Sequence, residues 1–426
     1  MAKYNINSFI KWIRETDYGL PYKTDMLCIL LTFTYINNIN RLTPNISQSL
    51  YYMVVIVINC GILALTLRRG VRISIPMWLF WLFMWVSILM NMDEIGAYFK
   101  APARTMSFLL VQLIVAPFFV SEQLNHARDR IFDVFNFLIL CMAIISFLGR
   151  FFNFLPTDNQ GFYLGCTWHS MDLAAIMGIA VITFMHHIAK TRQNRKLKKI
   201  YIGCFAGSFL VLLLSSSRTT LISCTIAVLG YWCSGASQTI QKVFKPAILI
   251  GLMIYGVSIV FPDAFKGMLN KSRSDSGQIT TSSITKSRFG IWNDRIQEIK
   301  DYPLFGTGAH TIRHGRTSFN GQIEPGNAWL YVFSSMGVFQ FAVFCGIIVN
   351  AFKRCRKHAI PGHKASLIMA LLVYFCMYMV GEAHITAAGE FTCIYFWLLI
   401  AVALYHDFHR DIIFEHQYIS YETHSA

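Results

Sequence analysis

Apolar segments of about 20 residues recur along most of the chain, and they constrain its fold more than any other feature. A helix of about this length crosses the roughly 30 Å of hydrocarbon in a bilayer. Of the 426 residues, 55% are hydrophobic and only 14% are charged, whereas a soluble domain carries about 25% charged residues. We therefore expect an all-α polytopic membrane protein rather than two or three soluble domains.

The apolar segments predict about 12 membrane helices. They lie near residues 25–40, 48–67, 75–92, 106–121, 131–149, 169–188, 200–216, 219–234, 246–262, 327–349, 365–382 and 388–406. An even number of spans puts both termini on one side of the membrane. If that side is the cytoplasm, the cytoplasmic segments hold 23 Lys and Arg and the short external loops hold five. This asymmetry is the one that sets membrane topology, so both termini are predicted to be cytoplasmic.

One long polar segment, residues 263–326, then lies outside the membrane and carries nine of the 37 Lys and Arg. The chain divides into membrane helices with a basic N-terminus (1–262), this external loop (263–326), further membrane helices (327–406) and a cytoplasmic tail (407–426). A basic loop on a helical bundle favours an anionic ligand at the membrane surface. Because most of the net charge of +15 is topological, nucleic acid is a poor candidate partner.

Nothing in the sequence favours a metal or a nucleotide. The 11 cysteines are scattered without a C-x-x-C pair, so neither a zinc site nor a redox pair is indicated. His310 and His314 are four residues apart, but no matching set of acidic ligands accompanies them. Gly306 and Gly308 follow no predicted strand, which argues against a phosphate-binding nucleotide loop. We expect no metal and no cofactor.

The segment SSSRTT, residues 215–220, is a polar sequence between two apolar helices. Its Arg218 lies on the external side, where the positive-inside bias disfavours a cation, and such a residue marks a functional site by default. A guanidinium suits bidentate phosphate contacts, so we predict that Arg218 binds an anionic substrate group and that Ser217 helps to position it. The alternative is a tight turn whose arginine reaches the lipid head groups.

Residues 288–300 carry apolar side chains at three- and four-residue spacing, which predicts an amphipathic helix along the membrane surface. Arg288 stands at its start, where helix N–H groups also favour an anion. We predict that Arg288 binds the anionic group and that Trp292 positions the substrate. Pro303 and the glycines of PLFGTG (303–308) are expected to end the helix in a turn.

The rest of the loop supplies candidates for acid–base chemistry. A histidine can take a proton from a hydroxyl at neutral pH, so His310, His314 and Glu324 are the candidate bases. Further predicted ligands are Arg313 and Arg316 for the anion, and Asn327 and His169 for substrate positioning. His169 with Asp172, and Glu382 with His384, lie at external helix ends. Each pair either lines the substrate site or forms a satisfied structural contact.

The order of these features resembles the O-antigen ligase and O-antigen polymerase superfamily of bacterial integral membrane glycosyltransferases. The matching motifs are SSSRTT, the Arg-x3-Trp of Arg288 and Trp292, the turn PLFGTG, the Asn-x-x-Leu of Asn327 and Leu330, and a following Gly337. The sequence departs from the family at Gly326, where many members place the histidine that is the usual candidate base. That role therefore cannot be transferred to this chain.

The resemblance implies a GT-C-like membrane enzyme in the bacterial inner membrane, with its active site facing the periplasm. Its substrate would be an undecaprenyl-diphosphate-linked oligosaccharide, and its activity the polymerisation of such repeat units into a surface polysaccharide. Possible partners are a chain-length regulator and a flippase. The alternative is the ligase activity, in which lipid A core or a protein is the acceptor. A flippase or a structural scaffold is less favoured, because the charges lie in one external loop and an arginine stands at 218.

Overall fold

A computed structural model describes residues 20–44, 46–66, 70–92, 101–157, 162–191, 194–233, 281–310 and 326–408. For residue 233 and residues 281–289 it describes the backbone alone. Within these ranges the chain is almost entirely helical. The helices are α1 Tyr22–Asn37, α2 Gln48–Thr66, α3 Ile75–Leu89, α4 Ala101–Gln112, α5 Glu122–Phe151, α6 Ser170–Lys190, α7 Arg195–Leu214, α8 Arg218–Cys233, α9 Thr281–Asp301, α10 Ala328–Arg356, α11 Lys364–Tyr378 and α12 Phe391–Tyr405. The strands are β1 Arg72–Ile73 and β2 Phe119–Val120.

Five helices in the described part of the chain are long and apolar enough to cross a membrane: α2, α5, α6, α7 and α10. Three shorter apolar helices, α3, α11 and α12, match further predicted spans. The protein is therefore a multi-pass helical membrane protein, as the sequence predicted. The predicted span 246–262 and both termini lie outside the described residues, so the count of 12 spans and the orientation stay predictions.

The predicted span 106–121 is wrong over its second half. Helix α4 ends at Gln112, and the chain then turns until β2 pairs antiparallel with β1 through Phe119 and Ile73. A helix of this length covers only about 18 Å at 1.5 Å per residue and cannot cross the bilayer alone. The hydrophobicity of residues 113–118 predicts a membrane helix. In the structure they form a turn that is buried inside the protein.

Arg128 on α5 explains how this turn is stable inside the bundle. Its guanidinium donates to the carbonyl oxygens of Ile114 (2.8 Å), Ala116 (2.9 Å) and Phe119 (2.8 Å). Irregular backbone at membrane depth requires such partners because lipid offers none.

Helices α6 and α12 form the centre of the bundle, and nearly every residue of α12 is buried. An aromatic cluster fills the space between α3, α4, α10 and α12. It consists of Phe80, Phe108, Phe344 and Trp397, whose neighbouring ring centroids lie 5.1–6.3 Å apart. Offset and edge-on arrangements of this kind stabilise a core beyond simple burial. This core holds the helix ends that carry the polar residues.

The polar residues collect at two opposite ends of the bundle. At one end, His406 Nδ1 lies 2.8 Å from Asp129 Oδ1, and Lys364 Nζ lies 3.4 Å from the same oxygen. At the other end, the loop after α1 pairs with the loop before α6 through the Asn40–Thr167 bridge. Alternate loops meet at alternate ends, as expected of a chain that crosses a membrane repeatedly.

Candidate active site

The end of the bundle opposite His406 carries every described residue of the candidate site. The amide of Asn38 donates to the carbonyl oxygen of Gly389 (2.9 Å), which joins the loop after α1 to the segment before α12. The N–H of Ala328, at the start of α10, donates to Met379 at the end of α11 (2.8 Å). The loops that the topology prediction placed outside the membrane therefore lie side by side.

The SSSRTT segment is a tight turn that starts a new helix at Arg218. The Ser215 hydroxyl donates to the carbonyl oxygen of Leu212 (2.6 Å), and Ser216 takes a left-handed φ of 57°. Ser217 Oγ and Thr220 Oγ1 lie 2.8 Å apart. The hydroxyls of these residues thus close the turn. Arg218 is left half-buried at the first position of α8, where the helix N–H groups and dipole favour a bound anion.

The SSSRTT turn packs directly on the segment between α11 and α12. A Cβ atom on Gly381 would lie 2.5 Å from the Thr219 side chain, so only a glycine allows this approach. The next residue, Glu382, is 4% exposed, and its Oε2 lies 3.8 Å from His384 Nε2. The turn that presents Arg218 therefore lies beside an acidic and imidazole-bearing segment.

Five ionisable residues, here named the carboxylate cluster, meet near this contact: Asp172, Glu382, Glu390, His169 and His384. The charges of Glu390, His169 and His384 all act on the Asp172 carboxyl. Asp172 lies in the first turn of α6, and Glu390 is the residue before α12. The sequence predicts two separate pairs, His169 with Asp172 and Glu382 with His384. The fold unites them and adds Glu390.

Helix α9 lies against the first half of α10 and is longer than the predicted 288–300. The Trp292 indole donates to the carbonyl oxygen of Gly326 (3.3 Å). Arg295 Nη1 lies 2.8 Å from Glu298 Oε2 and 3.4 Å from Ser335 Oγ, and its guanidinium stands over the Tyr331 ring at 5.6 Å. Arg295 joins α9 to α10 and was not predicted from the sequence, although its position seven residues after Arg288 puts both on one helix stripe.

The PLFGTG turn docks into a break in α10. The N–H groups of Thr307 and Gly308 donate to the carbonyl oxygens of Ser334 and Ser335, each at 2.9 Å. Gly337 interrupts the helix with a φ of 79° and a ψ of 178°. The segment after α9 is thus fixed to α10 by backbone hydrogen bonds.

His310 follows this turn and is the one candidate base that the structure describes. Its N–H donates to the Tyr331 hydroxyl (3.3 Å), its backbone is left-handed with a φ of 59°, and its Nε2 has no hydrogen bond partner among the described residues. Burial and then the charge of Arg104 lower the pKa of His310 to about 3. The imidazole is therefore neutral at physiological pH, and it is a weaker base than a group whose pKa lies near 7.

Asn327 has a clear structural task. It is the N-cap of α10, and its Oδ1 accepts the N–H of Leu330 at 3.0 Å. Helix capping accounts for the Asn-x-x-Leu spacing, because the N-cap oxygen bonds the N–H three residues later. A role for Asn327 toward the substrate stays a prediction.

The remaining predicted residues are only partly described. His169 is exposed at the N-cap of α6, near Asp172. Arg313, His314, Arg316 and Glu324 lie outside the described residues, as does the side chain of Arg288. The structure thus brings Arg218, Ser217 and the carboxylate cluster to one end, and it gives Trp292, His310 and Asn327 contacts around the start of α10. In the described part of the chain, no three His, Cys, Asp or Glu residues are arranged to hold a metal ion.

A family model described as O-antigen ligase matches residues 203–345. No curated protein matches the chain. The matched region contains the SSSRTT turn, α9, the PLFGTG turn and the broken first half of α10, so the motifs that carry the resemblance lie inside it. The protein is a multi-pass helical membrane protein. Its residues 203–345 are similar to the O-antigen ligase family, which implies lipid-linked glycan substrates, and this similarity indicates a function of the O-antigen ligase or polymerase type.

Proposed function

We propose that the protein polymerises undecaprenyl-diphosphate-linked oligosaccharide repeat units into a surface polysaccharide at the outer face of the bacterial inner membrane. The observation that carries this proposal is the position of Arg218. It stands at the first residue of α8, inside the matched region and at the end of the bundle that the topology prediction places outside the membrane. A guanidinium at a helix N-terminus suits a diphosphate that stays at the membrane surface.

Arg288 is the second proposed ligand of the diphosphate. Its position on α9 falls four residues before Trp292 and seven before Arg295, on one stripe of the helix. Trp292 and Arg295 contact Gly326 and Ser335 at the start of α10. The described side chains of this stripe, those of Trp292 and Arg295, are therefore turned toward α10. Arg313 and Arg316 are proposed as further ligands from the same loop.

The reaction follows from these positions. A hydroxyl of the acceptor sugar attacks the anomeric carbon of the donor sugar, and the bond from that carbon to the diphosphate oxygen breaks. The arginines stabilise the negative charge that develops on the departing diphosphate, as preorganised cations do for anions in a transition state. A neutralised diphosphate is a good leaving group, so the chemistry requires neither a metal nor a nucleotide. His310, His314 and Glu324 remain the proposed bases from the loop, and Ser217, His169 and Asn327 the proposed positioning residues.

The test is transfer by the purified full-length protein in detergent or lipid, with a defined undecaprenyl-diphosphate repeat unit and with EDTA present. A ladder of lengthening lipid-linked glycans is expected. Transfer only when lipid A core or a protein acceptor is added would instead establish the ligase. If the protein binds the donor but transfers it to no acceptor, the proposed function is wrong. Movement of the intact donor across vesicles would then favour the flippase.

A further inference from the structure

We propose that the carboxylate cluster is the acceptor-sugar site, and that the Asp172 carboxylate takes the proton of the attacking hydroxyl. This inference rests on the proposed function, because it names the acceptor subsite of that reaction and assigns the base to Asp172 in place of the three candidates from the loop. It addresses the position where the family pattern fails in this chain, since Gly326 has no side chain to accept a proton.

Asp172 and Glu390 are two half-buried carboxylates at the starts of α6 and α12, close enough that the charge of Glu390 acts on Asp172. Neither side chain hydrogen-bonds to any residue that the structure describes. Partly buried carboxylates that lack partners are costly, and like charges raise that cost. Hydroxyl groups of a bound sugar would donate to both carboxylates and offset it. The lack of described hydrogen bond donors to these two carboxylates is the first indication of a ligand site.

Two buried hydroxyls beside Glu390 give an independent sign. The Tyr51 side chain is 2% exposed and its hydroxyl feels the charge of Glu390, yet it has no hydrogen bond partner within the described chain. Thr392, two residues after Glu390, is 6% exposed, and its hydroxyl is equally without a described partner. Buried polar groups of native proteins are nearly always paired. A polyhydroxylated ligand supplies both donors and acceptors to such groups.

The cluster is open to a ligand on the side of α6. His169 is exposed, and Trp168 is 38% exposed with the Arg41 guanidinium 5.4 Å above its ring. An exposed indole offers a flat apolar face with a polar N–H, which matches the mixed surface of a sugar ring. A neutral glycan therefore fits this site better than an anion, which the carboxylates would repel.

The cluster lies next to the proposed diphosphate site. Thr219, the residue after Arg218, packs on Gly381, and Glu382 and His384 follow in the chain. Glu382 approaches His384 at 3.8 Å, and His384 acts on Asp172. A donor held at Arg218 would therefore present its anomeric carbon near the acceptor hydroxyl, with the cation on the side of the leaving group and the carboxylate on the side of the nucleophile.

The step balances without a further reactant. The acceptor O–H proton passes to an Asp172 oxygen as the hydroxyl oxygen bonds to the anomeric carbon. The bond from that carbon to the diphosphate oxygen breaks, and its electron pair leaves with undecaprenyl diphosphate. Asp172 then returns the proton to water. Glu390 and His384 form hydrogen bonds with neighbouring hydroxyls of the acceptor sugar and so orient it.

The test compares Asp172→Asn with Asp301→Asn, a matched control at an exposed position at the end of α9. Asp172→Asn is expected to slow glycan transfer by about 10²- to 10⁴-fold, the usual contribution of a general base, with donor affinity unchanged. Azide is an anionic nucleophile with no proton to remove. It should therefore restore donor consumption in Asp172→Asn, with formation of a glycosyl azide, but not in Arg218→Ala.

Transfer by Asp172→Asn at the rate of the Asp301→Asn control would overturn the inference and leave the proposed function intact. So would failure of azide to restore donor consumption while donor binding is normal. If Asp172→Asn does not fold, Glu390→Gln tests the acceptor site instead. We expect at least a tenfold higher KM for the acceptor, with kcat nearly unchanged. An unchanged KM contradicts the proposed site. A wild-type protein that transfers to no acceptor removes the proposed function, and this inference with it.

Discussion

The backbone N–H of Thr307 donates to the carbonyl oxygen of Ser334 at 2.9 Å, and this bond joins the PLFGTG turn to a break in a membrane helix. The carbonyl groups before Gly337 lose their helical partners at the break, and lipid provides no donors to replace them. The PLFGTG turn supplies those donors. Two motifs that are far apart in the sequence are therefore one structural unit that fixes the loop on α10.

Gly337→Ala should break this unit. Gly337 has a φ of 79° and a ψ of 178°, a backbone conformation that is nearly restricted to glycine. A Cβ atom there would also collide with the carbonyl group of Leu304. We expect a loss of about 1–3 kcal/mol of stability from the backbone strain alone, measured by thermal unfolding of the purified protein in detergent.

Gly346→Ala is the matched control, because it lies on the same helix and a Cβ atom there meets nothing within 4 Å. Alanine is the better helix former by about 1 kcal/mol, so this variant should unfold at the wild-type temperature or slightly above it. Equal destabilisation by both substitutions would show that the break at Gly337 is not a special position.

Asn327→Ala should weaken the start of α10. The Asn327 side chain accepts the Leu330 N–H at 3.0 Å, and loss of such a cap costs about 1 kcal/mol. Asn327→Ser keeps a capping oxygen and should keep wild-type stability. Thermal unfolding and glycan transfer are measured for both. Full stability with lost transfer in Asn327→Ser would support the predicted substrate role, whereas full activity would leave Asn327 as a cap.

The helix positions could be predicted well because lipid demands long apolar helices with satisfied backbone. The same rule predicts a membrane helix for residues 113–118, where the structure has a turn. They are as apolar as a span, and only the contacts of Arg128 with Ile114, Ala116 and Phe119 allow a turn there. No local pattern reports that an arginine 14 residues away will supply those donors.

The candidate site was predictable where its residues are close in the sequence, as in the SSSRTT turn around Arg218. The site was not predictable where the fold brings together residues that are far apart in the sequence. Asp172 and Glu390 start two helices and are 218 residues apart. Glu390 was not predicted as a site residue, because an isolated carboxylate in the sequence indicates no function. Arg295 could have been found from its seven-residue spacing to Arg288. Its contact with Ser335 depends on how α9 packs on α10.

Arg218→Ala should lower glycan transfer by about 10²- to 10³-fold, the range seen when one group that stabilises a developing anion is removed. Arg218→Lys should recover part of the lost glycan transfer, because lysine keeps the charge but loses the bidentate geometry. Arg150→Ala is the control, since Arg150 lies at the same end of the bundle and its guanidinium donates to the nearby Asn153 side chain, at 3.3 Å. Equal transfer by Arg218→Ala and Arg150→Ala, at equal protein abundance, contradicts the role of Arg218.

Arg128→Ala should destabilise the fold without any direct effect on chemistry. Three carbonyl oxygens would lose their donor inside the bundle, and each unsatisfied buried group costs about 1–3 kcal/mol. We expect low abundance in the membrane and a sharply lower unfolding temperature. Arg195→Ala, at an exposed position at the start of α7, should change neither. Normal stability of Arg128→Ala would mean that the turn finds other donors.

The stability of the protein should fall in acid partly through His310. Burial lowers the pKa of His310 to about 3, whereas an unfolded histidine has a pKa of about 6.5. Between these values the unfolded chain takes up a proton that the folded protein excludes, so stability is full above pH 6.5 and falls as the pH drops toward 3. His310→Asn removes this proton uptake, and asparagine tolerates the left-handed backbone at this position. The unfolding temperature of His310→Asn should therefore fall less between pH 7 and pH 4 than that of the wild type, with His126→Asn at the opposite end as the control. An unchanged pH dependence in His310→Asn would mean that the imidazole is not excluded from protonation in the folded protein.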